Sequence, residues 1–432
     1  MEAKYKVLRD NIHHNLWNGI FWAIGFNLVT PFIGVLAARL NATNSEYALL
    51  SSVPALLTIL VTLPAALILG RFRKQKRIIA GLIVLCRFFY FLLIFVPLLP
   101  VSKVMALIVL VGLYNATNTI ISVAYQSMMG EIIPLGYRNK VFAQRNMWTG
   151  VCGMIVALVA GWGIDRLTYP LGYQLAFSVG FIAAMVETWY FMKLKIPSED
   201  IEPDAPHASG TIGEPASSLP KNNFKSRIGR FKLNVQLPFY LFCGSAVIYL
   251  FAWQAAWPIF TKIKVDTLQA TNMMISIDAI AGAVGSLIAF RPWAFMADRK
   301  GNGFTVFGSA LSLALSPFLW IYAPNMIWIC FYDFLGGFST AGLTQAIFNR
   351  LLEIVPEQGR QRAIAIYTTL SQVSAVFAPI AGMAMYSSVS YTACMSVLGI
   401  GRVIGAVCFL IILFPAVAGW FQQMHRQKGL PR

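Results

Sequence analysis

The sequence predicts an all-α membrane protein in which twelve transmembrane helices form two pseudo-symmetric bundles of six. Three observations support this fold class. Hydrophobic residues make up 57% of the 432 residues, whereas charged residues make up only 12%. Apolar segments of about 20 residues, the length that crosses a hydrocarbon core of about 30 Å, recur along the chain. A short charged sequence that follows the fourth segment returns after the tenth.

The twelve predicted segments follow from that length rule. In the first half they cover 15–38, 46–69, 77–99, 103–129, 140–164 and 171–194. In the second half they cover 236–261, 267–290, 304–323, 325–350, 361–387 and 391–417. The first segment is long and has no small-residue cleavage pattern, so we expect it to remain a helix and not to act as a cleaved signal peptide.

The recurring charged sequence indicates an internal repeat. Its copies are Glu131-Ile-Ile-Pro134-Leu-Gly-Tyr-Arg138-Asn-Lys140 and Glu353-Ile-Val-Pro356-Glu-Gln-Gly-Arg360-Gln-Arg362, displaced by 222 positions (353 − 131). Each copy lies between two apolar segments, so each is predicted to be a charged turn at the membrane surface. Proline ends one helix there and the basic residues meet lipid phosphates. Internal repeats are typical of secondary transporters.

The positions of the charges predict the orientation. The net charge of +17 is concentrated on one side: with the N-terminus inside, 27 Lys and Arg residues face the cytoplasm. The outer loops hold five, which are Arg39, Lys103, Arg166, Lys262 and Lys264. This asymmetry places both termini in the cytoplasm of a multi-pass membrane protein and argues against nucleic acid as a partner. Short outer loops are typical of a bacterial inner-membrane protein, and Asn41-Ala-Thr43 is a lone sequon.

The predicted organisation is an N-terminal bundle, a cytoplasmic linker, a C-terminal bundle and a cytoplasmic tail, at 1–195, 196–235, 236–418 and 419–432. The linker is rich in Pro, Ser, Gly and acidic residues, which favours a connecting segment over a domain. Near its end Phe224, Ile228 and Phe231 recur at helical spacing among basic residues. This stretch fits either an amphipathic helix on the inner leaflet or a basic tail without structure.

The six-plus-six pattern, the long central loop and the paired charged repeats resemble the major facilitator superfamily. Between predicted helices 8 and 9, Ala294-Phe-Met-Ala-Asp298-Arg299-Lys-Gly301 looks like that family's loop G-x-x-x-D-R/K-x-G, with Ala294 in the first glycine place. The first-half counterpart, Ala66-Leu-Ile-Leu-Gly70-Arg71-Phe-Arg73, lacks the acidic residue. The resemblance covers essentially the whole chain and implies alternating access, but it does not name a solute.

Several of these loop residues are predicted to have structural or gating roles. Asp298 would lie at a helix end and act as an electrostatic latch towards basic residues of neighbouring loops. The predicted gating set contains Asp298 and Arg299 together with the repeat residues Glu131, Arg138, Glu353 and Arg360.

Five ionisable residues lie within predicted helices: Arg87, Glu187, Asp278, Asp333 and Arg402. A charge within a membrane costs at least a few kcal/mol, so each residue suggests a function. Arg87 and Glu187 lie at depths that differ by about 5 Å, which predicts a buried structural pair, with a coupling role as the alternative. Arg402 is predicted to pair structurally with Asp333, because both lie in the outer halves of their helices.

Asp278 is the leading candidate for proton coupling, with Asp333 as the second. Asp278 lies in the middle of predicted helix 8, which lines the central cavity in the family that the chain resembles. Gly282, Gly285 and Ala289 follow on its face and leave room for solute or for a neighbouring helix. No basic residue of the second half is an obvious partner. A carboxyl that is neutral or charged near pH 7 suits proton coupling, and a structural, hydrogen-bonded Asp is the alternative.

Polar and aromatic residues at helical spacing are predicted to line a central cleft. Amides and hydroxyls would bind a polar solute, while aromatic rings would stack on its flat or apolar part. The predicted solute-binding residues are Asn18, Trp22, Asn115, Asn118, Ser122, Gln126, Tyr249, Trp253, Thr340, Thr344 and Gln372. For each of them, an interhelical hydrogen bond or interface packing is the alternative.

Missing motifs narrow the function. The sequence has no P-loop, its four histidines are terminal or in the linker, and its six cysteines lack metal-site spacing. We therefore expect no enzyme activity, no cofactor and no metal site. The expected function is proton-coupled secondary transport of a small organic solute by a monomer surrounded by membrane lipids. The alternatives are an exporter or flippase of amphipathic compounds, which the 13% aromatic content suits, and, remotely, a non-transporting membrane sensor.

Overall fold

The computed structural model describes residues 2–69, 75–100, 102–195, 237–355 and 360–411. These residues form fourteen α-helices, with short 3₁₀ segments at Thr30–Phe32 and Val96–Leu98 and a π-helical segment at Ile263–Thr267. The α-helices are α1 (Glu2–Val29), α2 (Ile33–Arg39), α3 (Asn44–Leu69), α4 (Gln75–Leu93), α5 (Lys103–Ile132), α6 (Leu135–Arg166), α7 (Leu171–Met192), α8 (Leu237–Ala255), α9 (Trp257–Lys262), α10 (Asn272–Ala314), α11 (Ser316–Ile321), α12 (Met326–Ile354), α13 (Arg360–Ser388) and α14 (Tyr391–Ile411).

Eleven stretches of the described residues are long and apolar enough to cross a membrane. One of them, Asn272–Ile321, has 50 residues, and a straight helix of that length would measure about 75 Å, more than twice the hydrocarbon core. It is broken at Gly301, where φ is 83° and ψ is 160°, a conformation that favours glycine. When its two arms are counted separately, the structure has the twelve predicted spans.

Three of the described spans are interrupted beside a proline and then continue as a short α-helix. The first bends through Thr30–Phe32, which contains Pro31, and the others bend just before Pro258 and Pro317. Proline lacks the N–H that a helix needs and its ring clashes with the carbonyl four residues earlier. The breaks leave short apolar helices, α2, α9 and α11, at the ends of the longer ones.

The turn at the first repeat copy is shorter than predicted. Helix α5 continues to Ile132 and α6 begins at Leu135, so only Ile133 and Pro134 separate them. Arg138 therefore lies in the first turn of α6 and not in a loop. A hydropathy rule finds the part of a helix that contacts lipid, whereas the helix itself continues through polar residues at the surface. For the same reason α1 begins at Glu2, well before position 15.

The chain divides into two compact units. The first contains Met1–Thr30 and Leu57–Lys232, and the second contains Pro31–Leu56 and Leu233–Arg432. In the first unit α1 packs against α6 and α7, and α4 packs against α5 and α7. In the second unit α10 packs against α12 and α14, and α8 packs against α13 and α14. Residues 31–56 thus associate with the second unit, whereas the predicted domain bounds, which group them with the first bundle, stay a prediction.

Several predicted features lie outside the described residues. They are the linker at 196–235 with its amphipathic stretch at 224–232, the tail at 419–432, the first-half loop at 70–73 and the turn of the second repeat copy at 356–359. The side chains of Gln126, Glu131 and Arg360 are likewise not described, although their backbones belong to helices.

Candidate functional site: a buried charge cluster in the second unit

Three charged side chains meet inside the second unit. The Lys264 ammonium donates a hydrogen bond to Oδ2 of Asp278 and another, 2.7 Å long, to Oδ2 of Asp333. Their side chains are 16%, 6% and 28% exposed, respectively. We refer to Lys264, Asp278 and Asp333 as the charge cluster. It joins the π-helical segment, α10 and α12, three elements that are separate in sequence.

The backbone around residue 264 aims the lysine into the bundle. The π-helical segment follows α9 directly, and the Leu268 N–H donates to the carbonyl of Ile263. Lys262 and Asp266, the other charged residues of this stretch, pair with each other. A π-turn contains one more residue than an α-turn, so it rotates the side chains that follow and is frequent at functional sites.

The start of α10 sets the depth of Asp278. The Thr271 hydroxyl caps the helix by accepting a hydrogen bond from the Met274 N–H at 3.2 Å. Asp278 lies six residues after Asn272, which is about 9 Å from the helix start. The prediction that it occupies the middle of a membrane helix is therefore wrong, because α10 runs on to Gly301 and places Asp278 in its first third.

The expectation that Asp278 has no basic partner is also wrong. The sequence predicts that Lys264 lies in an outer loop, because the apolar run of the seventh segment ends at Phe260, four residues before Lys264. One signal is visible in the sequence: Lys262 and Lys264 lie next to an apolar run that contains Pro258. Hydropathy cannot show that the chain stays helical there and turns back into the bundle.

The charges of the cluster do not balance. Two carboxylates and one ammonium leave one net negative charge in a site that is largely removed from solvent. Burying uncompensated charge is costly, so the site favours one additional positive charge, either a proton or a cationic group. Oδ1 of Asp278 is buried and has no hydrogen-bond partner among the described residues. It is an available acceptor for that charge.

An aromatic wall completes the site. The Lys264 ammonium lies 5.2 Å from the centre of the Trp320 ring, a cation–π distance. The Trp320 ring packs against Phe260 at 4.1 Å between centroids, and its indole N–H is buried without a hydrogen-bond partner in the described structure. Cys330 lies three residues before Asp333 on α12 and is half-buried.

The glycines that follow Asp278 on α10 pack against another helix and not against a solute. The sequence left both alternatives open, and the structure brings α10 and α12 into backbone contact there. A Cβ at Gly337 would collide with the Gly282 carbonyl, and a Cβ at Gly285 would collide with the Phe334 carbonyl. The Ser286 hydroxyl donates to the Gly337 carbonyl at 2.9 Å. This contact fixes α12 against α10 and thereby fixes Asp333 relative to Asp278.

Arg402 does not pair with Asp333, so that prediction is wrong. Its guanidinium is fully buried and donates to the Ser316 hydroxyl at 2.9 Å. It also donates to the carbonyls of Leu313, Trp253 and Ala252 at 3.3–3.5 Å. These carbonyls lie in the last turns of α10 and α8, which carry partial negative charge, and Pro317 leaves the Leu313 carbonyl without its helical donor. Helix ends, and not a carboxylate, therefore compensate Arg402.

The predicted pair between Arg87 and Glu187 is confirmed in the first unit. Nη2 of Arg87 lies 2.8 Å from Oε2 of Glu187, and the residues are 3% and 5% exposed. Nη1 of Arg87 donates to the Tyr114 hydroxyl at 3.1 Å, and Asn18 donates to the Glu187 carbonyl at 3.1 Å. The pair ties α4 to α7 and is satisfied within the unit.

The predicted solute-binding residues differ in their surroundings. Tyr249 is fully buried in the apolar core of the second unit, where its hydroxyl donates to the Ala310 carbonyl at 2.9 Å. Its expected position on a cleft is wrong, because a helix with apolar residues on all sides does not reveal its inward face. The residues that are only half-buried are Trp22, Asn115, Asn118, Trp253, Thr340 and Gln372.

Several polar members of this set bond to their own helix. Asn115 donates to the Val111 carbonyl at 2.8 Å, and Thr344, which is exposed, donates to the Thr340 carbonyl at 2.9 Å. Ser122 is exposed and also has a partner. Such bonds satisfy the hydroxyl or amide inside a membrane and still leave acceptor capacity for a solute.

Among the described loop residues, Glu353 and not Asp298 connects the helix ends. Asp298 is exposed and forms no ion pair within the described residues, while Arg299 lies over the Phe295 ring at 4.1 Å. The connection between the helix ends is made by Glu353, which accepts hydrogen bonds from Asn302 at 2.6 Å and from Arg350 at 3.0 Å. A latch at Asp298 stays a prediction. In the first copy, Arg138 donates to the Ile133 carbonyl at 2.8 Å.

Sequence reasoning missed a second polar group, in the first unit. The Tyr125 hydroxyl donates to Oδ1 of Asn15, and the Arg145 guanidinium lies 5.3 Å from the centre of the Tyr125 ring. Arg145 also packs against Gly19 on α1. The sequence contains a sign of this group, since Arg145 follows the first repeat copy by less than two helical turns. The charge distribution alone places Arg145 at the cytoplasmic surface.

Comparisons with known proteins agree with this architecture. The family model described as Major Facilitator Superfamily matches residues 17–253 and 241–423. A bacterial homologue of the iron transporter ferroportin in an inward-facing state is similar, with 12% identity, a TM-score of 0.69 and coverage of 94% of this chain and 98% of that one.

Two further solved structures share the fold. The D-xylose-proton symporter has 15% identity and a TM-score of 0.63, with coverage of 95% of this chain and 97% of that one. The nucleoside transporter NupG has 11% identity and a TM-score of 0.63, with coverage of 94% and 98%. No curated protein sequence matched the chain. Because the family model spans almost the entire sequence, the chain belongs to the Major Facilitator Superfamily and is a membrane transporter.

Proposed function

We propose that the chain is a secondary active transporter that moves a small organic solute across the cytoplasmic membrane by alternating access and is coupled to protons through Asp278. Asp333 is the second coupling group. The observation that carries this proposal is the buried cluster, in which two carboxylates share one ammonium. Ionisable groups inside a membrane protein are costly and typically mark ion pathways.

The coupling step follows from charge balance. With a proton on Asp278, Lys264 and Asp333 remain as a neutral ion pair and the cluster has no net charge. When the proton leaves, Lys264 is shared between two carboxylates and one negative charge is left over. The two states hold the π-helical segment, α10 and α12 together with different strength, so protonation biases the conformations that these elements adopt.

The solute would contact polar and aromatic residues of the predicted solute-binding set. On this proposal Asn18, Trp22, Asn115, Asn118, Ser122 and Gln126 contribute from the first unit, and Trp253, Thr340, Thr344 and Gln372 from the second. Tyr249 is left out because its hydroxyl and ring are used in the core. Transporter binding sites that combine hydrogen-bonding groups with aromatic faces suit small organic molecules.

Replacing Asp278 tests the coupling. Asp278→Asn keeps the shape of the side chain but cannot cycle a proton. In proteoliposomes, with a solute first identified by its effect on the melting temperature, we expect this variant to lose gradient-driven accumulation while counterflow exchange stays measurable at solute concentrations that saturate the variant. The measurement is uptake of labelled solute with and without an imposed pH gradient.

The matched control is Asp266→Asn, which removes an exposed carboxylate of the π-helical segment that is paired with Lys262 and not with Lys264. It should leave accumulation unchanged. Gradient-driven accumulation at the wild-type level by Asp278→Asn would remove this residue from the coupling role.

Export or flipping of an amphipathic compound is the second candidate function. Trp253 and Trp257 are in edge contact at 5.5 Å between centroids, and Trp257 is 45% exposed. Such indoles suit an apolar or flat solute. The chemical class of the compounds that stabilise the protein, polar metabolites or lipophilic cations, separates the two candidates.

A further inference from the structure

The charge cluster has the form of a receptor for a primary ammonium group. Lys264 presents three N–H donors on one nitrogen, and two of them are directed at Oδ2 of Asp278 and Oδ2 of Asp333. The positive charge also lies over the face of the Trp320 ring at 5.2 Å. Two carboxylates and an aromatic face are the groups that bind an ammonium ion well.

The ammonium in this site belongs to the chain itself. Lys264 reaches the carboxylates from the beginning of the π-helical segment, and the only acidic residue of that segment, Asp266, is paired with Lys262. The residues that contact the Lys264 ammonium from the packed elements are Asp278 on α10, Asp333 on α12 and Trp320 on α11. Arg402 on α14 is compensated by carbonyls and does not bond to either carboxylate.

One unused polar atom indicates that Lys264 does not fill the receptor. Oδ1 of Asp278 is buried and lacks a partner within the described residues, and Asp278 is 5% exposed. An ammonium group held by Oδ1 as well as Oδ2 would remove the unpaired acceptor. When both carboxylates are ionised, a net negative charge remains while Lys264 is bound, so a second positive group is favoured over an uncharged one.

We propose that Asp278, Asp333 and Trp320 form a subsite for the primary ammonium group of the solute, and that Lys264 is a tethered occupant which the solute displaces or joins. This inference rests on the proposed transport function and narrows its solute class to amines. Because Lys264 is attached to the protein, its ammonium competes with the solute's ammonium at a high effective concentration. Only a solute that makes further contacts with the protein can displace it. Lys264 is then a specificity-determining residue.

The experiment removes the tether and supplies the ammonium in free form. Lys264→Ala deletes three methylene groups and the ammonium, a fragment that n-propylammonium replaces. In the purified full-length chain, we expect n-propylammonium to raise the melting temperature of Lys264→Ala saturably and to bind at least tenfold more tightly than it binds the wild type. Tetramethylammonium, which has no N–H donor, and sodium at equal concentration should give less than a tenth of the shift.

Matched variants test whether that effect depends on the charge cluster. Lys264→Ala combined with Asp278→Asn should lose the response to n-propylammonium, and Lys262→Ala, which changes the neighbouring lysine, should respond like the wild type. Equal responses to the primary and the quaternary ion, or a response that survives Asp278→Asn, would overturn the proposal. If Lys264→Ala does not fold without ligand, its folded yield with and without n-propylammonium is the readout, and a yield that is unaffected also overturns it.

A second arm uses the wild-type chain. Amine solutes and their N-acetylated counterparts are compared by thermal shift, and the amines are expected to bind at least tenfold more tightly. Binding is measured without a gradient, so failure of this inference is distinct from failure of proton coupling. An Asp278→Asn variant that still accumulates solute would refute the coupling, whereas ammonium-independent binding would refute the subsite.

Discussion

Three buried cations are compensated in three different ways. Arg87 is neutralised by one carboxylate, Glu187, and by a tyrosine hydroxyl. Arg402 is held by the carbonyl ends of two helices and one serine. Lys264 is shared between two carboxylates. The first two arrangements leave no acid unpaired, which suits a permanent structural contact, whereas the third leaves a negative charge that a transport cycle can use.

The Arg87 pair should behave as a structural unit. Arg87→Leu leaves Glu187 as a buried, unpaired charge, and we expect it to lower the free energy of unfolding by about 3–5 kcal/mol. Arg87→Leu combined with Glu187→Leu removes both charges and should recover most of that loss. Folded yield and melting temperature in detergent measure the effect.

Arg166→Leu is the control for the Arg87 variants, because Arg166 is exposed and lies over the Trp162 ring. It should change stability by no more than about 0.5 kcal/mol. A double variant that is no more stable than Arg87→Leu alone would show that the two residues do not stabilise each other.

At the scale of helices, irregular backbone positions the charges. The bend before Pro258, the π-turn at Ile263–Thr267 and the Thr271 cap bring the end of one span next to the start of the following one. In an α-helix each residue is rotated by about 100° from the one before it. Adding or removing one residue before Lys264 would therefore turn its side chain away from the carboxylates by that angle. The cluster therefore depends on where the helices are interrupted as much as on which residues they contain.

The contact between α10 and α12 provides a test at the same scale. A Cβ at Gly337 would strike the backbone of Gly282, whereas a Cβ at the adjacent Gly336 would have no atom within 4 Å. We expect Gly337→Ala to destabilise the protein by about 1–3 kcal/mol, since overpacking forces backbones apart. Gly336→Ala should be close to neutral. Thermal unfolding of both variants in the same detergent measures the difference, and equal melting temperatures would contradict the contact.

For the whole molecule, the repeat and the positive-inside asymmetry predict the membrane orientation. Arg299 lies beside the break at Gly301, and Tyr322, which is 79% exposed, follows α11 at the other end of that long apolar stretch. In intact cells, a membrane-impermeant maleimide should label Tyr322→Cys, and it should label Arg299→Cys only after permeabilisation. The unsubstituted chain, with its six native cysteines, gives the background. Labelling of both positions from the same side would contradict twelve spans with both termini inside.

Much of the molecule could be predicted from the sequence. The membrane class, the twelve spans and the family depend on hydropathy, the repeat and a loop motif, which are local or additive properties of the chain. The Arg87 pair could also be predicted, because two opposite charges at similar depth in one bundle have few other partners. Asp278 and Asp333 were recognised as unusual for the same reason, since a charge in an apolar run is visible without a structure.

The sequence by itself determined that this chain crosses a membrane in two related halves and that it buries particular charges. Only the tertiary structure decided which charges meet. Lys264 pairs with Asp278 and Asp333, whereas Arg402 bonds to helix carbonyls. Gly282 and Gly337 bring two helices into contact at a place where the sequence also permits a solute. The reason is physical: hydropathy records how deep a residue lies along a helix, whereas a contact also needs the rotation of that helix about its axis. Proline breaks, a π-turn and close glycine packing set that rotation, and their effects appear only when the helices are assembled.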